Sequence, residues 1–155
     1  MPLYVVQHGD AVPKDVDPDR PLSEQGRTDV ARIAAFLATA GVSLQRVVHS
    51  GKARARQTAE RLAQTLAPAG GVEAREGLGP TEPVEPLAEA LRDAGEDLAV
   101  VGHMPFVGRL VARFVSGQTE HPVVAFQPGS VVCLEQDEAG RWVIAWMVRP
   151  ALLAG

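Results

Sequence analysis

The chain has one cysteine among its 155 residues, so no internal disulfide can form. Cys133 lies in the apolar run Val131, Val132, Cys133, Leu134, where a small buried hydrophobe is the expected role. No apolar stretch approaches the roughly 18 residues needed to cross a bilayer. The N-terminal run enters a strand pattern with no basic leader, and a soluble, cytoplasmic protein with no membrane contact is expected. A basic stripe is missing too. The 15 Lys and Arg are scattered among 19 Asp and Glu for a formal charge of -4, which excludes the electrostatic footprint of a nucleic-acid binder. Repeats and linker-like segments are absent. With 46% apolar residues, one domain over 1–155 is expected, burying about two thirds of its unfolded surface.

What is present is an alternation of strand and helix signals. Leu3 to Val6 is a short β-branched run ending at Gln7 and His8, which reads as a buried strand. A polar loop with Pro13, Pro18 and Pro21 follows, and Ser23 is an N-cap for a helix with Val30, Ile33, Ala34 and Leu37 on one face and Gly41 as its stop. Arg46 to His49 predicts a second strand. A second helix carries Ala55, Ala59, Leu62, Ala63 and Leu66 and ends before Pro68. From Ala69 to Pro86 the composition predicts a long loop with a short edge strand, then a short helix over Leu87 to Ala94. Leu98 to Val101 predicts a third buried strand, and Pro105 starts a helix with Phe106, Leu110, Val111 and Phe114 inward. Val131 to Leu134 and Val143 to Val148, around Asp137 to Gly140, form a hairpin. The expected fold is α/β: a three-layer sandwich with a mainly parallel central sheet, helices on both faces and an antiparallel C-terminal hairpin.

Ligands of such sheets bind beyond the carboxyl ends of the strands. Those ends read Gln7-His8-Gly9-Asp10, His49-Ser50-Gly51-Lys52 and Gly102-His103-Met104-Pro105. A neutral imidazole can attack phosphorus and form a phosphohistidine, while a cationic cage stabilises the equatorial oxygens of a loose transition state. Arg54, one turn into its helix, suits that cage through both its planar fork and the helix's positive end. Gly9 would let a ligand approach the backbone beside His8. His103, at a helix mouth, can donate to the same oxygens.

Four motifs in order extend the pattern along nearly the whole chain: Gln7-His8-Gly9-Asp10-Ala11; Arg20-Pro21-Leu22-Ser23 with Gly26; Ser50 with Arg54-Ala55 and Gln57-Thr58; Gly102-His103-Met104-Pro105 with Val107-Gly108. Together they resemble the SixA-type phosphohistidine phosphatases, the minimal members of the histidine phosphatase superfamily, which lack the inserted cap of larger relatives. The resemblance implies that His8 is the nucleophile and that Arg54 and His103 bind the phosphoryl group, with Gln7 and Gly9 beside them and neither metal nor other cofactor required. It implies as partner a phosphorylated histidine phosphotransfer domain, attacked by a monomer. Transfer between two imidazoles is close to energetically even, and imidazole leaves easily, so a strong general acid is less needed. Asp10, Glu76 and Glu82 are the carboxylates available for such a role, each more readily read as a solvated loop charge.

The sequence departs from the family at two places. Gln7 stands where the motif has arginine, which keeps a donor and loses a charge. That loss is worth about 1.5 to 3 kcal/mol of phosphate stabilisation, or roughly tenfold to a hundredfold in rate, unless Arg20, Lys52 or Arg56 substitutes. Gly51 stands where the family has proline, loosening the helix entry. Plainer roles stand beside these: a core histidine for His49, a loop residue for His121, a loop ion pair for Arg20, solvated charges for Lys52 and Arg56, and a helix cap for Ser50. Three other functions compete. One is a small-molecule phosphomonoesterase on the same fold. Another is a binding module that holds phosphate or phosphohistidine without turnover, and the third a metal hydrolase with His8, Asp10, His49 and His103 as ligands.

Overall fold

The computed structural model describes residues 1–154 and follows the expected alternation. In chain order the elements are β1 (Leu3–Gln7), α1 (Glu24–Thr39), β2 (Arg46–His49), α2 (Ala53–Leu66), β3 (Val72–Ala74), α3 (Glu85–Arg92), β4 (Leu98–Gly102), α4 (Phe106–Ser116), β5 (Val131–Gln136) and β6 (Trp142–Val148). The six strands form one sheet in the order β3-β2-β4-β1-β5-β6. β3, β2, β4 and β1 run parallel, and β5 and β6 return antiparallel.

The central strands β1 and β4 are buried on both faces because helices cover both. Leu3, Val5 and Val100 pack with Leu87, Leu91, Phe106, Leu110 and Val111 of α3 and α4. Tyr4, Val6 and Val101 face the other way, onto Val30, Ile33 and Leu37 of α1 and Ala55, Ala59 and Leu62 of α2. Full burial of each Val, Leu, Ile or Phe contributes about 1.5–3 kcal/mol. Cys133 is buried in the second layer, as its apolar run requires.

Local signals explain most boundaries. The Ser23 hydroxyl accepts from the Gly26 N–H at 3.0 Å and starts α1, and Gly41 leaves it at φ 80°. α3 begins two residues before its expected start, with Pro86 in its first turn, where the missing N–H costs nothing. The 3₁₀ turn over Pro150–Leu152 had no sequence signal beyond its proline. Along β6, Trp146 pairs with Cys133 and Ile144 with Leu134, so Ala145 is an extra residue, a bulge on the sheet's outer strand. Among the described residues no helix is long and apolar enough to cross a membrane.

Candidate active site

The sheet order makes β2, β4 and β1 neighbours, and this adjacency gathers the three motif-bearing strand ends. The end of β1 is held from both sides. The His8 N–H donates to Gly102 O at 3.0 Å, the Gln7 N–H to Ser130 O at 3.1 Å, and the Gly129 N–H bridges Gln7 O and His8 O at 3.0 and 3.1 Å. α2 ties down the loop that follows: the Gly9 N–H donates to Thr58 Oγ1 at 3.0 Å and the Leu22 N–H to Gln57 Oε1 at 2.7 Å.

His8 Nδ1 lies 2.7 Å from Gly9 O. A carbonyl oxygen only accepts, so Nδ1 carries the proton and the lone pair resides on Nε2. The His103 ring is 5.0 Å away, centroid to centroid, tilted by 54°. Burial pushes the His8 imidazole down from 6.5 to about 4; the Gly9 contact opposes this, and the guanidinium groups of Arg54 and Arg20 add to it. His103 falls to about 3, again mainly through burial, then through His8, Arg54, Lys52 and Arg20. Both rings are therefore neutral at pH 7. An NMR titration of the free protein should find no midpoint near 6.5 for either ring. A normal midpoint at His8 would mean the ring is solvated and not held as described.

Polar atoms left without partners concentrate here. Gln7 Oε1, Arg54 Nε and His103 Nδ1 are all buried and have no partner in the protein, a costly arrangement that calls for a functional explanation. Burial, and to a lesser extent the charge of Arg20, push the Arg54 pKa down. Arg20 sits at φ 47°, with its Nε–H donating to Val12 O at 3.1 Å. Such a backbone costs a non-glycine residue on the order of 1 kcal/mol. Arg56 instead pairs with Glu60 at 3.6 Å and acts on His49, away from the cluster.

Several residues stand differently from their sequence reading. Gly9 is buried against α1: an added Cβ would lie 2.8 Å from Val30 Cγ2 and 3.1 Å from Leu22 Cδ2, so packing demands glycine there. Ser50 is not the cap of α2. Lys52 is, with no side-chain cap bond, while Ser50 Oγ lies 2.6 Å from His103 Nε2. Gly51 does more than loosen the chain. Its φ of 90° is closed to proline, and its N–H donates to His49 Nδ1 at 3.0 Å, which makes His49 a satisfied core residue. The Asp10 carboxylate accepts from the Ser23 hydroxyl at 2.6 Å, and Glu76, Glu82 and His121 are exposed. Among the described residues no three His, Cys, Asp or Glu gather as metal ligands, so His8, Asp10, His49 and His103 do not form the cluster a metal hydrolase would need.

Comparison with known proteins places the chain in a family. Residues 3–79 match the model of the histidine phosphatase superfamily (branch 1). The chain is 30% identical over 158 residues to the phosphohistidine phosphatase SixA of Escherichia coli K12, covering 99% of this chain and 96% of that one. It is 36% identical over 135 residues to an uncharacterized protein of Picosynechococcus, covering 78% and 77%. A solved structure of the protein histidine phosphatase SixA complexed with tungstate superimposes with a TM-score of 0.88 at 28% identity, over 99% of this chain and all of that one. By fold, sequence and the gathering of its motifs at one sheet edge, the chain belongs to the histidine phosphatase superfamily and is a SixA-like phosphatase.

Proposed function

We propose that the protein removes phosphoryl groups from phosphohistidine on histidine phosphotransfer domains, through a covalent intermediate on His8. The observation that carries this reading is the fixed tautomer of His8, whose bond to Gly9 O leaves Nε2 as a free nucleophile beside His103 and two arginines. In the first step Nε2 attacks phosphorus, and the substrate imidazole departs with the electron pair of its N–P bond and takes up a proton from solvent. In the second, water attacks the phosphorus on His8, the P–Nε2 bond breaks with its electron pair returning to Nε2, and inorganic phosphate and one proton leave to solvent. Arg54, through its unpartnered Nε–H, and His103 hold the oxygens, with the Gln7 amide beside them. Tungstate, bound in the solved SixA structure, is a tetrahedral oxyanion like the group such a cage would hold. The carboxylate of Asp10 is engaged by Ser23, which suits an easily departing imidazole better than an alkoxide needing an acid. Neither a second subunit nor a cofactor enters these steps, and the two apolar layers on one sheet support a single histidine phosphatase-like domain.

Arg20 supplies the positive charge that Gln7 does not. It is the cation, besides Arg54, whose field reaches both His8 and Arg54. The test is phosphate release from a phosphorylated phosphotransfer domain in the presence of chelator. Arg20→Ala should lower kcat/KM by roughly tenfold to a hundredfold. Gln7→Arg should change the parent by less than about threefold, yet restore at least about tenfold in the Arg20→Ala background. A large gain from Gln7→Arg in the parent would show that Arg20 does not compensate. Complete inhibition by the chelator, or binding of the phosphodomain without any release, would overturn the proposed reaction.

A further inference from the structure

Ser50 is half-buried between β2 and α2, and its hydroxyl has two neighbours: His103 Nε2 at 2.6 Å and, more weakly, the Lys52 N–H at 3.4 Å. The Lys52 N–H can only donate, so its bond to Oγ leaves the Ser50 proton free to point at His103. A neutral imidazole has one N–H and one lone pair. When Ser50 donates to Nε2, the proton of the ring must sit on Nδ1, the buried atom that has no partner in the protein. With the opposite tautomer, Nδ1 would hold a lone pair that repels an anion. A hydroxyl can also rotate and accept, which a neutral donor such as an amide N–H cannot.

We propose that Ser50 is a positioning residue: it holds His103 as the Nδ1–H tautomer in the free protein, and reverses its own hydrogen bond to accept from Nε2–H when a bound phosphoryl dianion draws a second proton onto the ring. This rests on His103 being a phosphoryl ligand. The second proton comes from solvent on binding and returns there when phosphate leaves, so none is consumed. The titratable and charged groups facing His103 are His8 beyond β1, Arg54 on α2, Lys52 ahead of α2, and Arg20 in the loop before α1. By themselves these groups oppose a further positive charge, and a dianion among them reverses that balance. Ser50 then offers Nε2–H an acceptor where burial would otherwise leave it bare.

The experiment compares the parent with Ser50→Ala, Ser50→Thr and His103→Gln. In the free protein, ¹⁵N shifts of His103 should show Nδ1 protonated and Nε2 bare, and Ser50→Ala should lose that preference. Removing the acceptor makes the bound imidazolium less stable, so the alkaline limb of the kcat profile should move about one pH unit downward in Ser50→Ala, with kcat reduced roughly tenfold at pH 8. Ser50→Thr should restore both within about threefold. An Nε2–H tautomer in the parent, an unmoved alkaline limb in Ser50→Ala, or a threonine variant as impaired as the alanine one would each overturn the proposal. Full activity in His103→Gln would instead remove the ligand reading beneath it, and the tautomer spectrum tells the two failures apart.

Discussion

Replacing His8 with alanine should take phosphate release down by at least about 10³-fold, because the covalent route is removed and water is left as the nucleophile. The remaining cage, Arg54, Arg20 and His103, would still bind a phosphoryl group, so the loss belongs to kcat far more than to KM. The parent, quenched in alkali during turnover, should carry acid-labile phosphate on the protein; the variant should carry none. Residual activity within tenfold of the parent would remove His8 from the reaction. A second readout guards against simple unfolding. Between pH 6.5 and about 4 the unfolded chain protonates His8 while the folded chain does not. The unfolded state then binds more protons, so this residue's contribution to stability diminishes as pH falls through that window. Alanine at this position removes that share of the decline, and the variant should lose less stability than the parent on going from pH 7 to pH 5.

The largest structural effect is expected at Gly26, the third residue of α1. Inside a helix, alanine usually improves on glycine by about 0.5–1 kcal/mol. Here the sign should reverse, since an added Cβ would lie 2.1 Å from the carbonyl oxygen of Asp10. That oxygen is main chain and cannot swing aside. It already accepts from the Ser23 N–H at 3.0 Å, in the loop that leaves His8. Either α1 or the loop must move, at a cost of about 3 kcal/mol. For a chain of this size that corresponds to roughly 6–12 °C in melting temperature. Activity should fall with it, because the displaced loop begins one residue after Gly9. A melting temperature at or above the parent's would show that the helix and the loop are not in such contact.

How much of this could be read from the chain alone depended on the distance over which each cause acts. The strand at Leu98, the N-cap at Ser23 and the helix after Pro105 are set by neighbours in sequence, and their residue types announced them. The meeting of His8 and His103 was legible because each follows the end of an apolar run, so the sheet topology brings their rings together, while Arg54 is the second residue of α2 and not one turn into it. Ser50 was misread for the opposite reason. Its partner is 53 residues away, just past the end of the neighbouring strand, and a serine before a helix looks like a cap unless β2 and β4 are known to be adjacent. Gly9 and Gly26 share that difficulty. A glycine records that something comes close, and only the packing of α1 against the loop shows that the intruders are Val30, Leu22 and Asp10.

The extra residue at Ala145 changes the outer edge of the sheet. β6 is the outermost strand on its side, seven residues from Trp142 to Val148 without a charge among them. Unprotected strands of that kind invite a stranger's main chain to dock alongside. The bulge interrupts the even spacing of N–H and C=O groups on which such recruitment depends, on the same strand that carries Trp142 and Trp146.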